Sequence, residues 1–321
     1  MDLLNANKKE LASYAKRKVE SYFSKTVSAI KRIGGGSFGE VFKLKMDSEP
    51  FTVIYKFCKK EGMAPSETYA LKFFSENTAI RFPKVFFSSS AEESYPEGYC
   101  MEYIQGKPAF LNFNMLAWPL RKKYEFSYQV TDMLFAIHNN TADKFGPLEN
   151  PTYDKWLDYY YPWAKDIYEK AEKLCTQANG KKYIFDAMKA AFDRFDEIFS
   201  EEVTTPSAIH GDLNLLNIMV GRKGNITGFI DPLNSMYADR EYDLFQLNNL
   251  TGPVFGLYEL YKQKFEVSEK CDAKTAFYGL WNEVYCLISA GTFYRFIMNP
   301  LVKNMYIQLI KLDQKKQSLI L

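Results

Sequence analysis

The segment 208–231 constrains this chain more than any other. It reads Ala-Ile-His-Gly-Asp-Leu-Asn-Leu-Leu-Asn-Ile-Met-Val, then Gly-Arg-Lys-Gly-Asn, then Ile-Thr-Gly-Phe-Ile-Asp. The apolar run Ile218 to Val220 predicts a short strand, Gly221 to Asn225 a turn, and Ile226 to Ile230 a second strand. Such a β-hairpin brings Asn217, which enters the first strand, and Asp231, which leaves the second, to the same open end. Asp212 stands five residues before Asn217, on the loop that feeds the hairpin. Two hard oxygen donors with a carboxylate beside them suit Mg²⁺, which completes its shell with water and phosphate, and leave Asp212 as an adjacent base. The same three residues also suit plain strand-end and turn positions. The choice depends on whether a phosphate-binding loop precedes them.

A glycine-rich stretch does precede them, Ile33-Gly34-Gly35-Gly36-Ser37-Phe38-Gly39-Glu40-Val41-Phe42. Gly34, Gly36 and Gly39 fit Gly-x-Gly-x-x-Gly, and Val41 follows two residues on. Without Cβ atoms in the way, backbone N–H groups of such a loop can approach phosphate oxygens. A dinucleotide fold needs a helix directly after the loop. Here Glu40 to Met46 alternates as a strand, so the pattern is strand–loop–strand, a nucleotide clamp or a plain hairpin.

Phe51 to Phe57 predicts the next strand, with Lys56 the lone charge in it. A buried ammonium needs a carboxylate partner. Pro65-Ser66 is expected to open a helix, with Ser66 as N-cap, and Glu67, Ala70, Leu71 and Phe74 share one face of it. Glu67 is therefore the expected partner of Lys56, ahead of Glu61, and the pair would hold the lysine against phosphates. The other reading has Lys56 reaching water and Glu67 as a first-turn acid favoured by the helix dipole. Pro83 to Ser88 and Tyr99 to Ile104 predict two more strands. The second runs into Gln105-Gly106-Lys107-Pro108, a linker, and its backbone over Met101, Glu102 and Tyr103 is placed to meet a purine edge.

At 321 residues the chain has room for two lobes. The expected division is a nucleotide-binding lobe over 1–105, led by a helix over Lys8 to Phe23, and a mostly helical catalytic and substrate-binding lobe over 106–321. Helical spacing marks Tyr124 to His138, the stripe Ile184, Met188, Phe192, Phe195, Phe199, and a buried helix over Ala276 to Phe296. His138 reads as a structural hydrogen-bonder, the aromatic run Trp156 to Trp163 as core more than pocket, and Asp243 as a cap or an anchor for the Asp212 loop. Trp281, Glu283 and Tyr285 are pocket candidates. The net charge of +2 gives no support for nucleic-acid binding. The five cysteines are scattered and odd in number, as free thiols in a reducing compartment would be, and two histidines argue against a zinc site. The charged N-terminus lacks the apolar core of a signal peptide, and no apolar run reaches a membrane span. A cytoplasmic protein, monomeric or weakly dimeric, without membrane partners is expected.

Taken in order, the motifs resemble the kinase-like phosphotransferase fold, and within it the aminoglycoside phosphotransferase and choline kinase superfamily with its fructosamine kinase branch. The resemblance rests on His210-Gly211-Asp212-Leu213-x-x-x-Asn217 and Ile230-Asp231-Pro232, and covers about residues 28–250. It implies an α+β, bilobal, protein-kinase-like fold: a small N-terminal antiparallel sheet lobe with one helix and a larger, mainly helical C-terminal lobe. It also implies ATP, with GTP left open, and Mg²⁺. By the resemblance, Asp212 orients or deprotonates a small-molecule hydroxyl, Asn217 and Asp231 hold the metal, Lys56 fixed by Glu67 contacts the α- and β-phosphates, and Gly34 to Gly39 cover them. His210 braces the loop. Ile-Asp-Pro and Asp-Arg-Glu-Tyr-Asp-Leu lean toward the fructosamine kinase branch, whereas Gly-Gly-Gly-Ser-Phe-Gly-Glu-Val looks more like a protein kinase. Leu-Asn-Leu-Leu stands after Asp212 where many relatives carry Pro-Gly or Ser-Gly. The acceptor is thereby open among aminoglycosides, fructosamines and other sugar-amines, and choline-like alcohols. A protein kinase is disfavoured because no activation segment or Ala-Pro-Glu follows Asp231. A non-catalytic nucleotide-binding module is disfavoured because every expected catalytic residue is present.

Overall fold

The computed structural model describes residues 7–36, 38–92, 94–177 and 180–320, with side chains to 317. The chain forms two compact units, one of 1–112 with 216–234 and one of 113–215 with 235–321.

The first unit begins with helix α1, Lys8–Phe23, capped by the Asn7 side chain on the Lys9 N–H at 3.0 Å. Five strands follow: β1 Val27–Gly35, β2 Gly39–Met46, β3 Thr52–Cys58, β4 Val85–Ser89 and β5 Gly98–Glu102, with helix α2, Met63–Asn77, between β3 and β4. They pair antiparallel in the order β1-β2-β3-β5-β4. The period-2 alternation divides the faces. Phe42 and Leu44 of β2 and Val53, Tyr55 and Phe57 of β3 pack with Leu11, Tyr14, Ala15 and Val19 of α1. The intervening residues, Val41 and Lys56 among them, point to the opposite face, and those two are cross-strand partners.

Helix α2 begins three residues before the expected N-cap. Gly62 precedes it in the left-handed conformation, and Ser66 lies inside the first turns. A local cap is dispensable because the buried Glu97 accepts from the Ala64 N–H at 2.8 Å and the Gly62 N–H at 3.2 Å. Pro65 fits the first turn, where its missing N–H is no loss. The predicted hairpin is present: Ile218–Val220 pairs with Ile226–Phe229, and Lys107–Pro108 adds a third strand beside Val220 and Met219.

The second unit is mainly helical. Helices α4, Trp156–Gln177, and α5, Lys182–Phe192, pack around the helix Cys271–Ala290 in one core, and α3, Leu120–His138, packs on the helix Leu257–Lys264. Trp156 and Tyr160 are buried in this core. The Trp156 indole donates to the Tyr278 hydroxyl at 2.9 Å, and Trp281 stacks on Phe277 at 3.6 Å. The C-terminal helix expected over Ala276 to Phe296 instead stops at Ala290, where Gly291 at φ +65° supplies a left-handed cap. A second long helix, Arg295–Ile320, buries Met298, Val302, Met305, Leu309 and Leu312. Three short strands, Gly146–Pro147, Met236–Ala238 and Ser207–Ile209, form a small sheet that delivers the chain to His210. Among the described residues no helix is long and apolar enough to cross a membrane.

Candidate active site

In the first unit the glycine-rich loop is the β1–β2 turn. Gly34 pairs with Val41 and Gly35 with Glu40, and the Gly36 N–H donates to the Gly39 carbonyl at 3.1 Å. Ser37 lies outside the described residues. The Phe38 ring is faced by the Lys60 ammonium at 5.1 Å, and the Phe38 carbonyl accepts from the Lys59 N–H at 2.9 Å. Gly39 is glycine for a packing reason. A Cβ there would stand 2.8 Å from the Phe57 carbonyl and 3.2 Å from Lys56 Cε.

Lys56 is buried, and its ammonium donates to Glu67 Oε1 at 2.5 Å and to Asp231 Oδ1. The expected Lys56–Glu67 pair is thus formed, and Asp231 joins it. Burial opposes the charge on Lys56, but the Asp231 and Glu67 carboxylates outweigh it and hold the ammonium protonated above the usual range. Burial pushes the Glu67 carboxyl up and the adjacent Lys56 ammonium pulls it back down, with Asp231 adding to the rise. Glu67 lies with Ala70, Leu71 and Phe74 on the buried face of α2.

Asn217 and Asp231 flank the paired ends of the hairpin, whose last rung is the Ile230 N–H donating to the Asn217 carbonyl at 3.0 Å. Asn217 is buried. Asp231 adopts φ +61°, a left-handed conformation uncommon for a residue with a side chain. The Leu233 N–H closes the turn on its carbonyl at 2.7 Å. Met101 and Glu102 end β5, where the Glu102 N–H donates to the Lys84 carbonyl at 2.8 Å and the Glu102 carboxylate accepts from Arg81. Tyr103 lies beneath the Lys43 ammonium, 3.6 Å from the ring centre.

In the second unit the His210–Asp212 loop hangs on Asp243. The buried Asp243 carboxylate accepts from the backbone N–H groups of His210 and Gly211, each at 2.7 Å. Gly211 at φ +79° turns its N–H toward that acceptor. The third partner of Asp243 is His138 Nε2 at 3.2 Å, and His138 Nδ1 lies 2.7 Å from the Tyr261 hydroxyl. The carboxylate can only accept, so Nε2 carries a proton and donates to Asp243. His210 Nδ1 accepts from the Asp212 N–H at 3.3 Å. His138 and Asp243 therefore do what the sequence suggests, as structural bonder and anchor.

Two features here have no counterpart in the sequence reading. Asp212 Oδ1 accepts from Gln246 Nε2 at 2.7 Å and from Asn214 Nδ2 at 2.9 Å. The turn that carries Asp243 is itself braced by Lys274, whose buried ammonium contacts Asp239 at 2.7 Å and Glu241 at 2.8 Å. The Tyr278 hydroxyl also donates to Asp239, at 2.8 Å. The signal for the brace is a lysine two residues before the apolar run Ala276 to Trp281 of that helix, a weaker mark than Lys56, because Asp272 and Glu283 share the helix. Trp281 lies in the core, and Glu283 is a buried carboxyl on that helix.

The fold is that of the kinase-like phosphotransferases. Wild-type aminoglycoside 2'-phosphotransferase-IIIa in its GDP complex superposes with a TM-score of 0.65 over 95% of this chain and 99% of that one, at 13% identity. A thermostable mutant of aminoglycoside phosphotransferase APH(4)-Ia, in a ternary complex with ADP and hygromycin B, gives 0.62 over 93% and 96%, at 16% identity. The sequence model of the fructosamine kinase family matches residues 9–306, and the chain belongs to that family of small-molecule kinases. A Staphylococcus aureus protein named "Probable ketoamine kinase" is 24% identical over 279 residues, 84% of this chain and 91% of that one.

Proposed function

We propose that the protein transfers the γ-phosphoryl group of Mg-ATP to a hydroxyl of a fructosyl-amine or related sugar-amine. The observation that carries this is the Lys56 bridge to Glu67 and Asp231, joined to membership of the fructosamine kinase family. A buried ammonium held by two carboxylates is a fixed positive charge suited to the α- and β-phosphates. The Gly34–Gly39 turn with Val41 covers them, and the backbone of Met101 to Tyr103 takes the purine edge.

Asn217 and Asp231 would hold the Mg²⁺. Among the described residues no group of three or more His, Cys, Asp or Glu gathers as a ready-made metal cage. One amide and one carboxylate at a hairpin mouth still suit Mg²⁺, which keeps waters and phosphate oxygens in its shell. When bound, the ion neutralises charge on the phosphates. Asp212 accepts the proton of the acceptor hydroxyl as its oxygen bonds to phosphorus and the bond to the ADP oxygen breaks. The chain's part is orientation and charge placement, as a loose phosphoryl transition state requires.

Incubation with Mg-ATP and fructosyl-lysine, followed by phosphorus NMR of the product, tests the reading. A new phosphate monoester on the sugar supports it. Phosphorylation of an aminoglycoside or choline but no fructosyl-amine would replace the acceptor, and ATP left intact with every acceptor would overturn the activity.

A further inference from the structure

The turn that carries Asp243 reaches the Asp212 loop twice. Asp243 and Gln246 are three residues apart and share a face of the helical turn. Asp243 holds the loop by its backbone, at His210 and Gly211, and Gln246 holds the side chain of Asp212 itself. Gln246 is only 4% exposed. The 2.7 Å contact fixes which way its amide points, because the flipped amide would set a carbonyl against a carboxylate oxygen. The price is at the other end: Oε1 is buried and accepts no hydrogen bond among the described residues. An apolar side chain of similar volume would avoid that unpaired carbonyl, so the amide is explained by its donor end. Asn214, on the loop itself, brings the second donor to the same oxygen, at 2.9 Å.

We propose that Gln246, with Asn214, is a positioning residue for the phosphoryl transfer. Two amide N–H groups on Asp212 Oδ1 fix the plane and direction of the carboxylate that receives the acceptor's proton. This rests on the reading of Asp212 as the base. Neither amide is assigned a contact with nucleotide or acceptor, so their loss should reach kcat and spare KM.

Gln246→Met removes the amide while keeping length and volume. We would measure kcat, KM for Mg-ATP and KM for the acceptor in wild type, Gln246→Met, Asn214→Ala, Asp212→Ala and the Gln246→Met/Asp212→Ala pair, with thermal melting beside them. The expected result is a kcat about 10- to 100-fold lower in Gln246→Met, a smaller fall in Asn214→Ala, and both KM values within about threefold of wild type. In the Asp212→Ala background Gln246→Met should change the residual rate by less than about twofold. Asn214 lies on the loop and outside the core, so its variant keeps the test open should Gln246→Met melt early. Wild-type kcat in both single variants, or an equal fall with and without Asp212, would overturn the positioning role. Wild-type turnover in Asp212→Ala would instead overturn the base assignment.

Discussion

The Lys56 ammonium lies 2.5 Å from Glu67 on α2 and also donates to Asp231 at the end of the hairpin, so one charge joins two segments far apart in sequence. Removing it leaves two carboxylates without their cation. Lys56→Met is expected to lower turnover by about 100-fold or more, since the charge on the phosphates goes with it. Lys56→Arg should not restore the rate, because a planar fork does not replace a compact ammonium in a buried two-carboxylate site. Steady-state ADP release on the two variants checks this, and wild-type rates with Lys56→Arg would contradict it.

The metal assignment predicts a dependence on Mg²⁺ concentration. Asn217→Ala should raise the Mg²⁺ needed for half-maximal turnover at saturating ATP by about 10-fold or more, while Asn217→Asp keeps an oxygen donor and stays closer to wild type. A Mg²⁺ titration of ADP release separates the two. Equal Mg²⁺ curves for all three proteins would remove Asn217 from the metal site.

Much of this arrangement was legible in the chain. Local periodicity placed α1, β2, β3 and the hairpin, because alternation and turn residues act over a few positions. The Lys56–Glu67 pair followed from one charge in an apolar strand and one acid on an apolar helix face. Three features were not legible, each for a tertiary reason. Glu97 caps α2 from a distant segment, so the start at Met63 leaves no mark in the preceding residues. Gln246 meets Asp212 across 34 positions. The join of the last two helices turns on Gly291, where an apolar pattern that runs from Ala276 to Phe296 hides the break. By contrast, the 298, 302, 305, 309, 312 stripe of the final helix stands in the sequence at helical spacing and could have been read.

The glycine-rich turn predicts a contrast between two glycines. Gly39→Ala places a methyl 2.8 Å from a backbone carbonyl and 3.2 Å from Lys56 Cε, and should destabilise by about 1–3 kcal/mol. Gly36→Ala meets nothing within 4 Å and should leave the melting temperature near wild type. Thermal melts of the two variants decide it, and an unchanged Gly39→Ala would contradict the packing.

Glu283 predicts a pH effect on stability. Burial raises its carboxyl from the ordinary 4.5 to about 7. Below the lower value both folded and unfolded chains hold the proton, and the group has no effect. As pH rises toward 7 the unfolded chain ionises first, so stability falls, by at most on the order of 3 kcal/mol once both states are ionised. Glu283→Gln removes this loss, so its melting temperature should gain on wild type between pH 5 and pH 8. A difference independent of pH would contradict it.

ADP release from Mg-ATP with a fructosyl-amine acceptor, in wild type and in Asp212→Ala, tests the phosphoryl transfer and its base together. The account predicts acceptor-dependent turnover in wild type and a fall of about 100-fold or more in the variant, with nucleotide binding retained. Turnover that does not depend on the acceptor, or that survives Asp212→Ala unchanged, would contradict it.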